Sequence, residues 1–147
     1  MEGDLTIQKS GVRQNYLAIS VAAVACFLFE AGWYSIFMQP WLDGIGHTRE
    51  WLMSPAPLNP ALQFGTALIS EAIIAAAISC VTQLTGPQTL LRGMKVAALM
   101  WFGLVLTTLS TEYIFEIRPI SLLAINGGFW LLGMILMGAI VGAWKKK

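Results

Sequence analysis

The chain has 147 residues, 56% of them apolar and only 12% charged, with a mean hydropathy of +0.68; soluble domains carry about 25% charged residues. The net charge of +1 gives no excess that would point to nucleic acid. With a single histidine, two cysteines not in a CxxC arrangement and no Gly-rich phosphate loop, a bis-histidine haem and a histidine-rich metal site are excluded, so neither cofactor nor metal is expected.

A bilayer core of about 30 Å needs about 20 helical residues. After a polar segment at residues 1–15, four stretches meet that length: 16–38, 60–84, 92–114 and 120–144. Ala23-Val24-Ala25-Cys26 loosely resembles a lipoprotein cleavage box behind Lys9 and Arg13. The apolar run continues to Met38, however, whereas a cleaved signal core is about 7 to 15 residues, so the first stretch reads as a retained span. Cys26 within it and Cys80 in the second span read as buried packing.

Residues 39–59 form the long link. Trp41, Trp51 and Leu52 among polar neighbours predict a short interfacial helix, followed by a stiff Ser54-Pro55-Ala56-Pro57 stretch, together a cap on the outer surface. Spans two and three meet at Thr85-Gly86-Pro87-Gln88-Thr89, a turn that ends one helix and sends the next back antiparallel. Thr107, Thr108, Ser110 and Thr111 make the end of span three polar enough to predict that it faces protein or a wet cavity. Beyond it, Glu112, Glu116 and Arg118 predict a local ion pair at a tight turn. Span four carries Gly127, Gly128, Gly133, Gly138 and Gly142, which permit close helix packing, with Gly138 and Gly142 as a small-xxx-small pair. Residues 145–147 form a basic tail suited to an anionic leaflet.

With the N-terminus in the cytoplasm, Lys9, Arg13, Arg92, Lys95, Lys145, Lys146 and Lys147 lie inside, against Arg49 and Arg118 outside. That bias orients the chain. The fold class expected is all-α: an integral membrane antiparallel four-helix bundle with both termini cytoplasmic.

Against this apolar background Glu30 and Glu71 stand out, because an ionisable group within a span is a functional-site hypothesis by default. A rise of about 1.5 Å per residue puts Glu30 about 12 Å below the outer end of its span and Glu71 about 17 Å below the start of its own. Glu112 and Asn126 lie shallower, so the four polar groups, on four helices, are candidates for one site. Glu30 shares a helix face with Cys26, Trp33 and Tyr34. A central charge costs about 2.5 to 3.5 kcal/mol and each Leu, Ile, Phe or Val returns about 0.3 to 0.6. Span two can therefore insert with Glu71 but gains nothing by turning it towards lipid. No lysine or arginine lies at the depth of either acid. Each carboxyl then needs a proton, a cation or a hydrogen-bonding partner, and interhelical glue competes equally with a proton or cation site.

Trp33-Tyr34-Ser35, then Tyr113-x-Phe115-Glu116-x-Arg118-Pro119, then Asn126-Gly127-Gly128 running to Gly138 and Trp144, together resemble a bacterial membrane family known only as domain-of-unknown-function seventeen-sixty-one. The likeness runs from about Tyr16 onward, with the outer turn as its most specific part. It implies a compact protein of four spans in the cytoplasmic membrane and supplies no activity. The functional expectation is proton-linked or cation-linked transport or permeation of a small solute through Glu30, Glu71, Glu112, Asn126, Trp33 and Tyr34. The alternative is a non-catalytic membrane scaffold or accessory subunit binding a partner protein or lipid. Partners in view are the lipid bilayer, further copies of the chain and another membrane protein. An enzyme acting at the outer leaflet ranks last, because nothing supplies a nucleophile or metal cluster.

Overall fold

A computed structural model of the chain describes residues 11–54 and 59–145. The expectations for the first ten residues, for Pro55 to Pro57 and for the last two lysines lie outside the described residues. Helix α1 (Tyr16–Ile36) starts at Asn15, whose side chain accepts a hydrogen bond from the Ala18 amide at 3.2 Å. It stops two residues short of the span read from hydropathy. Pro40 has no amide hydrogen and its ring clashes with the carbonyl four residues back, so the helix cannot run through Ile36 unbroken. The chain bends at Phe37 into α2 (Met38–Ile45), and Gly46 closes α2 in a left-handed conformation at φ 75°. A second short helix, α3 (Arg49–Met53), follows. The link thus holds two short helices where one was expected.

Asn59 caps α4 (Pro60–Leu84), accepting from the Ala61 amide at 2.9 Å, with Pro60 in the first turn where its missing N–H costs nothing. Gly86, at φ 136°, makes the turn with Pro87, and Thr89 caps the next helix by accepting from the Arg92 amide at 3.2 Å. Span three is composite: α5 (Leu90–Met100), a π-helical segment at Trp101–Leu106, and α6 (Thr107–Phe115). Pro119 then leads into α7 (Ile120–Ala143). No strand occurs among the described residues.

All four long helices are apolar enough to cross a membrane. Leu28, Ile69, Leu99, Phe102 and Phe115 are among many large apolar side chains left exposed, a surface suited to lipid rather than water. The chain is an all-α, multi-pass four-helix bundle of membrane type. Its hub is α7, which packs on α1, α4 and α5. Glycines set that closeness. A side chain at Gly93 would meet the Gly138 carbonyl oxygen at 2.0 Å, one at Gly138 would meet the Gly93 oxygen at 2.4 Å, and one at Gly142 would meet the Thr89 oxygen at 2.5 Å. A Cβ added at Gly133 would meet the Cys26 sulfur at 2.9 Å and one at Gly128 the Trp33 ring at 3.3 Å, while one at Gly127 would make only an ordinary contact with Leu106. Cys26 is buried and Cys80 half-buried, both as free thiols.

The start of α1 meets the end of α7, where the Asn15 side-chain amide donates to the Trp144 carbonyl at 3.2 Å. At the opposite, distal end, α2 folds over α7: Leu42 is fully buried, and a Cβ added at Gly44 would meet the Leu122 side chain at 3.0 Å. Span two packs along α5 of span three, and α6 packs on α7. No residue of the π-helical segment or of α6 is buried.

Candidate functional site

At the distal end, residues of α1, α4 and α7 together with α2 and α3 surround a space. This is an open cleft of about 770 Å³. Its polar lining is Glu30, Tyr34, Ser35, Gln63 and Asn126; Phe27, Trp41 and Phe64 supply aromatic surface. The Phe27 and Phe64 rings meet edge to face at 6.0 Å across the α1–α4 contact, and Tyr34 meets Trp41 in the same way at 5.7 Å. These pairs fix the cleft walls to three different helices.

A hydrogen-bonded chain crosses the back of the cleft. The Tyr34 hydroxyl donates to Asn126 Oδ1 at 2.9 Å, and Asn126 Nδ2 donates to the Tyr113 hydroxyl at 2.6 Å. Asn126 thereby ties α1 to α6 through α7. Ser35 is turned away from this chain, donating to its own helix at the Ala31 carbonyl, 2.6 Å off. Glu30 is half-buried, with no basic side chain acting on it.

Glu71 lies one helical turn below Ala67, which lines the cleft floor. It is 1% exposed, and neither carboxyl oxygen has a hydrogen-bond partner among the described residues. The Cys26 thiol, a weak donor on α1, is the side chain that interacts with it, short of a well-formed hydrogen bond, and Glu30 is within electrostatic reach. Among the described residues the single salt bridge is Arg118–Glu116, at the exposed turn after α6. Burying a carboxyl without a partner is costly, so this cluster stands apart from the well-satisfied remainder of the bundle.

Three of the six residues expected to share a site line one cleft: Glu30, Tyr34 and Asn126. Glu71 sits beneath it. The other two are elsewhere. Glu112 is exposed on α6, away from the cleft, because its neighbour Tyr113 takes the inward position and successive helical residues point about 100° apart. Trp33 points across to α7, donating from Nε1 to the Ile125 carbonyl at 3.1 Å, and packs at a tilt against Phe29 and Phe37. It does not line the cleft. The polar end of span three lies on the surface of the bundle. Thr107, Thr108 and Thr111 are exposed, and the hydroxyls of Thr107 and Thr111 satisfy themselves on carbonyls of their own span at 2.9 and 3.0 Å.

At the turn between α6 and α7 Arg118 pairs with Glu116 and lies 6.0 Å over the Tyr113 ring. The hydrogen bond and charge of Glu116 hold the guanidinium above its ordinary value. Glu112 takes no part in the pair, Phe115 is exposed, and Pro119 caps the turn. Sequence reading missed Gln63, Trp41 and the aromatic pair Phe27–Phe64 as cleft residues. Their signal was weak, since one glutamine near a helix start and aromatics in a membrane span are common. No group of three or more His, Cys, Asp or Glu side chains placed to hold a metal occurs among the described residues.

No curated protein and no solved structure matches the chain. The family resemblance carried by the outer turn and the span-four glycines extends over residues 17–142, so that the chain belongs to the family described as "Protein of unknown function (DUF1761)".

Proposed function

We propose that the protein is a transport or permeation module of the bacterial inner membrane that couples a small solute to protons or a cation through Glu30 and Glu71. Both termini lie in the cytoplasm and the cleft opens outward, an orientation supported by the distribution of Lys and Arg. One observation carries the reading. Glu71 is buried with both carboxyl oxygens unpartnered, directly beneath an open cleft that Glu30 lines. An acid serving as interhelical glue would spend its oxygens on hydroxyls or amides of a neighbouring helix. Glu71 does not, which leaves its carboxyl free to take up and release a proton or cation.

The rival reading, a scaffold that binds another membrane protein, draws support from α6, where nothing is buried. The two separate cleanly. In proteoliposomes with a lumenal pH dye, a solute gradient across wild-type protein is expected to move protons, and Glu30→Gln and Glu71→Gln to abolish that movement. Silence of the wild type under every gradient, with both variants performing normally in cells, would leave the scaffold.

A further inference from the structure

We infer that the cleft binds an organic ammonium or phosphonium-like cation with an apolar body, with Glu30 as its counter-charge. The inference rests on the transport reading of the same cleft and names the class of solute. A cavity of about 770 Å³ falls within the range of small-molecule sites, about 300 to 1,000 Å³. Among the described residues its single carboxylic acid is Glu30, and no lysine, arginine or histidine lines it. An anionic ligand would find no positive charge among the described residues of the cleft to pair with.

A sugar-like ligand fits no better. The Tyr34 hydroxyl and Asn126 are already committed to each other and to Tyr113, and Ser35 to its own helix. That leaves Gln63 as the main neutral polar group for a ligand rich in hydroxyls. A bare divalent cation wants about six oxygen ligands, and no acidic cluster of that kind is present among the described residues. What the cleft offers in quantity is aromatic surface: Phe27, Tyr34, Trp41 and Phe64. Their faces attract cations, most strongly when water is excluded. The Tyr34 ring is fixed by its hydroxyl bond to Asn126 and by its edge contact with Trp41, so little ordering is required when a ligand enters.

Binding and proton release are then one event. A carboxylic acid at Glu30 cannot hold its proton and pair with a cation at once, so the cation displaces the proton to solution. The groups acting electrostatically with Glu30 are the Tyr34 hydroxyl on its own helix, Cys26 one turn below and Glu71 on α4. None of these carries positive charge, and a second acid nearby favours entry of a cation over an anion.

The test uses full-length protein in detergent with tetraphenylphosphonium as the probe and tetraphenylborate as its anionic isostere, followed by tryptophan quenching and titration calorimetry. Saturable phosphonium binding is expected, weakened about tenfold or more in Glu30→Gln and in Trp41→Ala, partly kept in Glu30→Asp and unchanged in Glu112→Gln. Equal binding of the borate, or phosphonium binding untouched by Glu30→Gln in monodisperse protein, would overturn the inference. So would absence of saturable phosphonium binding to the wild type. Nanodiscs of phosphatidylglycerol, with and without phosphatidylethanolamine, separate two sources of ammonium: competition by the ethanolamine lipid assigns the cation to a headgroup, and its absence to a free solute. Cation binding without proton movement in liposomes would retire the transport reading and keep this site. Proton movement with another solute, and no cation binding, would do the reverse.

Discussion

Asn126 holds the cleft together with two hydrogen bonds, one to a tyrosine on α1 and one to a tyrosine on α6. Side-chain hydrogen bonds between membrane helices contribute about 0.6 kcal/mol on average. Asn126→Ala, which frees both hydroxyls, is therefore expected to cost about 1 to 2 kcal/mol. Tyr113→Phe removes one bond and should cost about half as much, measured as thermal unfolding in detergent. A variant Asn126→Ala as stable as the wild type would show that the chain across the cleft is incidental. At this scale the sequence was informative for charge and poor for direction. Glu30 and Glu71 were conspicuous because a carboxyl in an apolar run needs a reason wherever it points. Glu112 looked equivalent, but one step of helical rotation separates it from Tyr113, and which of the two faces inward depends on how α6 lies on α7. Periodicity in a span that is apolar or polar all round does not fix that phase.

The contact between α5 and α7 is the element on which the bundle depends. Their backbones meet at Gly93 and Gly138 with no room for a Cβ on either side. Gly93→Val is expected to abolish folding, seen as loss of monodisperse protein, because the obstruction is backbone and cannot swing aside. Gly65→Ala and Gly103→Ala, where an added Cβ meets nothing within 4 Å, should be tolerated. They provide the control that glycine loss by itself is harmless. Of this contact, Gly138 and Gly142 were legible as a small-xxx-small pair. Their partner was not recognised, although Gly93 and Ala97 carry the same spacing on span three and Ala97 lies 2.8 Å from a Cβ placed at Gly138. The π-helical segment at Trp101–Leu106 had no readable signal, because an extra residue in a turn arises from tertiary fit: at its start the Trp101 indole reaches the Gly127 carbonyl at 2.9 Å. The bend at Phe37 had one in Pro40, outweighed by continuous hydropathy.

At the scale of the molecule, four spans and an antiparallel order followed from length, turns and hydropathy alone, since only a helix satisfies its own backbone within lipid. Span lengths were good to within a few residues. The interior opening was not legible, because a cleft between α1 and α4 depends on the angle at which α2 folds back, and no local pattern encodes that angle. Orientation is tested with alkaline phosphatase fusions: activity is expected from a fusion in the loop of residues 39–59 and none from either terminus. An active terminal fusion would invert the bundle and turn the cleft towards the cytoplasm. The most direct test of the central claim, that Glu30 and Glu71 form one exchanging unit, is infrared difference spectroscopy of the protein in lipid across a pH change, with bands assigned by Glu30→Gln and Glu71→Gln. The account expects a carboxyl band from Glu71 that changes with pH and shifts when Glu30 is replaced. A Glu71 band that is the same at every pH and indifferent to Glu30 would contradict it.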